Sequence, residues 1–236
     1  MQIVGLQKMT LLDYPGKVAC TVFLAGCNFR CPFCHNGELL AGEQPVGITE
    51  EEFFSFLKSR VGFLDGVCIT GGEPTLYPDL PDFIRKIKEM GYPVKLDTNG
   101  YRPEVLKGLL AEGLLDYVAM DVKNCPERYA ETVGLPEVEI KRLEESISLL
   151  LSGNIPYEFR TTVVSEFHDQ TAIRKMGEWL VSLAKGEKIP RLFLQGFVDR
   201  ETVLHPGLHC PTKEEITGFL AALSPFIQKT ELRGID

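Results

Sequence analysis

What the chain lacks most plainly is a surplus of positive charge. Its 25 Lys and Arg stand against 33 Asp and Glu, a net charge of −8. Without a basic surface, general nucleic-acid binding is not expected, although a nucleotide-containing cofactor remains open because such sites depend on local geometry. No apolar run is long enough to span a bilayer, so no membrane partner is expected. The opening MQIVGLQKMTLLDYPGK has no apolar stretch suited to a signal peptide. A cytoplasmic location, with reduced thiols, is the expectation. Seven cysteines in that setting read as metal-binding or buried thiols rather than as a disulfide framework. Domain linkers, low-complexity tracts and short repeats are missing too, so a single domain over residues 1–236 is predicted.

What is there is a 44% hydrophobic chain, ample for one core, in which strand and helix patterns alternate. Val18–Ala25 reads as a first strand and Thr49–Arg60 as a helix, with Thr49 as N-cap followed by Glu52. Gly66–Thr70, Pro93–Asp97, Asp116–Asp121, Tyr157–Val164 and Arg191–Gln195 read as further strands. Asp79–Met90, Pro103–Glu112, Glu137–Leu151, Thr171–Ala184 and Thr212–Leu223 read as helices between or after them. Strands separated by helices imply a parallel sheet with right-handed crossovers. Six such units are too few for a complete eight-stranded barrel. The predicted fold is therefore α/β, a partial (β/α)6 TIM-like barrel, with an open doubly wound sheet as the alternative.

The informative polar residues fall just after these strands, where parallel barrels assemble their sites. Cys27, Cys31 and Cys34 follow the first in a C-x3-C-x2-C loop that Gly26 helps to turn. Thiolates suit iron–sulfur clusters, and three of them on a [4Fe–4S] cluster leave one iron for a substrate or cofactor. The blander readings are a zinc loop completed by His35 or buried, unligated thiols. Gly71-Gly72-Glu73-Pro74 follows the second strand, Asp97 and Asn99 the third, and Asp121 and Lys123 the fourth. Cys20 and Cys68 sit in apolar strand patterns and read as core. His205, His209 and Cys210 lie close together in sequence but match no metal-site spacing.

The cysteine motif, with Phe33 at its aromatic position, resembles that of the radical S-adenosylmethionine (SAM) superfamily. Gly71-Gly72-Glu73-Pro74 resembles its GGE motif. Leu96-Asp97-Thr98-Asn99-Gly100 and Met120-Asp121-Val122-Lys123 resemble later motifs of glycyl-radical-enzyme activases. Leu12–Lys17 through Cys34-His35-Asn36 is most similar to the activating components of anaerobic ribonucleoside-triphosphate reductase. The resemblance implies a [4Fe–4S] cluster on Cys27, Cys31 and Cys34, and SAM on the vacant iron. One-electron reduction would cleave SAM to methionine and a 5′-deoxyadenosyl radical that abstracts a hydrogen atom.

It also implies that Gly71, Gly72, Glu73 and Pro74 bind the methionine end of SAM. Asp97 and Asp121 would serve its polar groups or a monovalent cation, and Lys123 and Arg160 its carboxylate. Phe33, His35, Asn99 and Gln195 would contact adenosine. The implied partner is anaerobic ribonucleoside-triphosphate reductase or another glycyl radical enzyme. The segment between Cys34 and Gly71 is too short for an extra ferredoxin-like domain, so flavodoxin or ferredoxin is the expected electron donor. The competing expectations are a small-molecule radical SAM enzyme, similar to 7-carboxy-7-deazaguanine synthase, and a non-catalytic metal module.

Overall fold

The computed structural model describes residues 1–40 and 47–234. They form eight strands and seven α-helices: β1 (Ile3–Thr10), β2 (Ala19–Leu24), α1 (Glu50–Ser59), β3 (Gly66–Gly71), α2 (Leu80–Glu89), β4 (Val94–Thr98), α3 (Pro103–Ala111), β5 (Tyr117–Asp121), α4 (Pro126–Thr132), α5 (Ile140–Ser152), β6 (Tyr157–Val163), α6 (Gln170–Leu183), β7 (Ile189–Gly196), α7 (Lys213–Leu223) and β8 (Ile227–Arg233). The strands follow chain order. No helix among the described residues is long and apolar enough to cross a membrane.

The chain divides into two compact units. The first takes residues 1–28, 38–119 and 155–157, and the second takes 29–37, 120–154 and 158–236. In the first, β2, β3 and β4 run parallel, with Val22 opposite Ile69 and Ile69 opposite Leu96. These strands read as near-continuous apolar runs because helices cover them: Val22, Ile69, Leu96, Phe53, Leu57, Phe83 and Ile87 are all buried. Helix α1 starts where its sequence says it should. Thr49 accepts the Glu52 backbone N–H while Glu52 accepts that of Thr49. In the second unit β6, β7 and β8 are parallel, with Phe159 opposite Leu192 and Leu192 opposite Thr230. Phe159, Leu192, Ile173, Met176 and Leu180 form its core.

The parallel strand–helix alternation is as expected. The difference lies at the two ends of the strand order. The first strand is β1, paired antiparallel to β2, and β8 closes the order after α7. Both carry runs of exposed polar residues, Gln7-Lys8 in β1 and Gln228-Lys229 in β8. That is how natural sheets blunt their edges, and it hides the apolar alternation by which strands are read.

Candidate active site

In the first unit, the end of β3 is folded tightly onto the segment that leads into Cys27. The Gly72 N–H donates to Leu24 O at 2.9 Å and the Glu73 N–H to Gly26 O at 2.8 Å. A Cβ on Gly71, whose φ is +125°, would lie 2.3 Å from the Leu24 backbone, and one on Gly72 would lie 1.8 Å from Gly26 O. The paired glycines are therefore required by the protein's own backbone: they let the Gly-Gly-Glu turn lie against the root of the cysteine loop.

Glu73 is fully buried. One carboxylate oxygen accepts from the Thr75 N–H (3.1 Å), the Thr75 hydroxyl (2.5 Å) and the Thr98 hydroxyl (2.8 Å), and the other from the Asn99 N–H (2.6 Å). Burial pushes its pKa up, and these donors work against that. Glu73 thus ties the turn to the end of β4. Asn99 continues the chain. Its Oδ1 accepts from the Tyr101 N–H at 3.0 Å, and its Nδ2 donates to Asn28 Oδ1 at 2.7 Å and lies 3.8 Å from Cys27 Sγ. Asp97 pairs with buried Lys95, and the Thr70 hydroxyl reaches Asp97 at 3.4 Å.

In the second unit, Cys31 is buried and Cys34 half-buried, and the Cys34 N–H donates to Cys31 O at 3.0 Å. Burial pushes the Cys31 thiol up to about 11, against the pull of the Lys123 charge. Phe33 packs on Phe167 with ring centroids 5.7 Å apart. The His35 ring stacks on Phe197 at 5.5 Å, and its Nε2 meets Val198 O at 2.8 Å. Asp121 receives Lys123 Nζ at 2.8 Å and Arg160 Nε at 2.9 Å. Burial raises the pKa of Asp121, but Arg160 and Lys123 outweigh it and hold the carboxyl at about 2. Burial likewise works against the Lys123 charge, and Asp121 overrides it, leaving the ammonium well above the ordinary lysine range. Gln195 is half-buried on β7, in register with Thr162 and Arg233.

Sequence reasoning missed three residues here. Lys95, inside a strand, is buried on Asp97. His168 is buried, taking the Val164 N–H on Nδ1 (3.1 Å) and meeting Lys123 O through Nε2 (2.8 Å). Nδ1 is also 3.1 Å from Val164 O; the Lys123 carbonyl only accepts, so Nε2 carries a hydrogen, and burial lowers the ring's pKa, favouring the neutral form. The third is Asn28. Lys95 on Asp97, and Lys123 with Arg160 on Asp121, compensate both carboxylates with protein cations. His209 pairs instead with Glu166 at 2.8 Å.

None of the seven cysteines forms a disulfide. Among the described residues no three His, Cys, Asp or Glu side chains are gathered closely enough to hold a metal ion. The donor chemistry nevertheless fits an iron–sulfur cluster. Cys27, Cys31 and Cys34 are soft ligands on one short loop, and beside Cys27 the Asn28 Nδ2 is buried with no hydrogen-bond partner among the described residues.

Parallel strands carrying their glycine turn, carboxylates and cysteines at their C-terminal ends define a class of α/β enzyme that binds a cofactor there. Residues 21–174 match the Radical SAM superfamily, and the chain belongs to that family, whose enzymes use a [4Fe–4S] cluster and SAM. A Methanocaldococcus jannaschii protein named as a candidate glycyl-radical enzyme activating enzyme is 40% identical over 178 residues, covering 74% of this chain and 73% of that one. A Thermococcus kodakarensis protein named probable GTP 3′,8-cyclase is 31% identical over 147 residues, covering 61% of this chain but only 46% of its own length. A solved domain of a pyruvate-formate lyase-activating enzyme from Bacteroides vulgatus superposes with a TM-score of 0.57 at 20% identity, covering 72% of this chain and 99% of that one. This likeness bears on the fold alone and agrees with the α/β, partial-barrel class.

Proposed function

We propose that this radical SAM enzyme is an activase that installs a glycyl radical on a partner enzyme, with anaerobic ribonucleoside-triphosphate reductase as the leading partner. The observation that carries the reading is the 40% identity to the M. jannaschii activating-enzyme relative, spread over nearly three quarters of both chains. Residues 1–236 act as one catalytic domain in this reading, fed by a separate flavodoxin or ferredoxin. Cys27, Cys31 and Cys34 hold the cluster. With SAM bound, it supplies the radical chemistry.

The chain's own residues shape the site. Gly71 and Gly72 bring the turn against the Cys27 loop, and Glu73, wholly enclosed, fixes that turn to β4 rather than touching ligand. Asp121 keeps Lys123 charged and holds it and Arg160 oriented for a carboxylate. Phe33, His35, Asn99 and Gln195 serve in this reading as contacts for the adenosine part. The test is electron paramagnetic resonance on the reconstituted, reduced protein mixed with SAM and the candidate reductase: a glycyl radical on the partner is expected. A second reading, a radical SAM enzyme acting on a small molecule, draws on the cyclase relative. It predicts repeated turnover of that molecule with no protein partner present.

A further inference from the structure

The Asn28 amide is oriented by a chain of bonds that ends in an unused donor. The Asn99 N–H is held by Glu73 at 2.6 Å. The Tyr101 N–H binds Asn99 Oδ1 at 3.0 Å, which leaves Asn99 Nδ2 as the only group its side chain has left to offer. That Nδ2 donates to Asn28 Oδ1 at 2.7 Å. The oxygen of the Asn28 amide is thereby fixed on the Asn99 side, since the reversed amide would set donor against donor. The Asn28 Nδ2 is left buried with no partner among the described residues. An unmade hydrogen bond on a buried amide is costly, and such groups call for an unrecorded acceptor. Asn28 directly follows Cys27, whose Sγ is 3.7 Å from Asn28 Oδ1 and 3.8 Å from Asn99 Nδ2.

We infer that Asn28 is a tuning residue: its Nδ2 donates a hydrogen bond to a sulfur atom of the iron–sulfur cluster. This rests on the cysteine loop holding that cluster. Hydrogen bonds to cluster sulfurs stabilise the reduced, more electron-rich form and raise the reduction potential. Glu73 and Asn99 act behind Asn28 by holding its amide the right way round. The Gly-Gly-Glu turn and the Asp-Thr-Asn-Gly segment thereby influence how readily the cluster takes up its electron.

The test uses the reconstituted chain without SAM. Asn28→Asp keeps the oxygen that receives Asn99 and replaces the lone donor with an oxygen, while Asn28→Leu removes both. Both variants should show a more negative midpoint potential in a redox titration followed by electron paramagnetic resonance, the larger change in Asn28→Asp. An unchanged potential in variants with full iron and sulfide content overturns the inference. So does a change that appears only after SAM is added, which would make SAM the acceptor.

A measurement on the unmutated sequence stands apart from any folding defect. Protein labelled with 15N in the asparagine side chains should show nitrogen coupling to the reduced cluster that is lost in Asn28→Asp, where Asn99 still carries the label; no coupling, or coupling that survives in Asn28→Asp, overturns the inference. If the unmutated chain assembles no cluster, the cysteine assignment itself is refuted, which the iron and sulfide analysis distinguishes.

Discussion

Gly26 O lies 1.8 Å from the position a Cβ on Gly72 would occupy. Any side chain at residue 72 therefore pushes directly on the residue that precedes Cys27. Gly72→Ala should cost about 1–3 kcal/mol of stability, as overpacking does elsewhere. It should lower iron and sulfide loading together with SAM affinity. Iron and sulfide analysis alongside equilibrium dialysis of SAM checks this. Normal cluster loading with SAM binding alone impaired would show that the glycine makes room for the ligand rather than for the chain.

Glu73 is a buried brace, and its replacement tests that role. In Glu73→Gln the amide nitrogen cannot accept the hydrogen bonds it replaces, leaving either the Thr75 or the Asn99 N–H unpaired. The expected loss is about 1–3 kcal/mol in urea denaturation. A variant of unchanged stability would remove Glu73 from its bracing role.

Asp121 makes part of the stability pH-dependent. Its folded-state pKa of about 2 lies below the ordinary carboxyl value of 3.8. Its contribution is therefore present above pH 4 and is lost as the pH falls from about 4 to 2. Comparing wild type with Asp121→Asn by urea denaturation at pH 5 and at pH 2.5 should show the gap between them narrow by roughly 1–2 kcal/mol at the lower pH. A constant gap would mean that Arg160 and Lys123 do not depress this group.

The helices and central strands were legible because their signals are local. The Thr49–Glu52 capping box and the apolar runs of β2 and β3 each declare themselves within a few residues. Strand β1, helix α4 and strand β8 were not. Alternation in β1 and β8 is broken by exposed Gln and Lys, and Pro126–Thr132 is too short to show helical periodicity. The cysteines, glycines and strand-end carboxylates were visible by type and spacing. The contacts that give them roles depend on pairing between distant segments. Lys95 in a strand reads as solvent-facing until Asp97 is seen beside it, and nothing near His168 in sequence points to Lys123 O. Glu73 read as a ligand contact by motif, whereas its hydrogen bonds run to Thr75, Thr98 and Asn99.

The thiols of Cys27, Cys31 and Cys34 are expected to contribute little to the fold by themselves. Replacing any one with alanine should change the stability of the cluster-free chain by no more than about 1 kcal/mol, while iron content falls and SAM cleavage is lost. Thermal melts of the cluster-free variants, iron analysis and assay of 5′-deoxyadenosine decide the matter. Undiminished cleavage in the triple variant would contradict the ligand set.

The proposed activase takes a hydrogen atom from a glycine of a partner protein. The direct measurement is mass spectrometry of 5′-deoxyadenosine formed when the reduced, reconstituted enzyme acts on candidate reductase deuterated at its glycine α-carbons. One deuterium is expected in 5′-deoxyadenosine, appearing with the glycyl radical signal and lost when the reductase's radical-bearing glycine is changed to alanine. Deuterium-free 5′-deoxyadenosine, with a small molecule consumed repeatedly in the absence of any reductase, would contradict it.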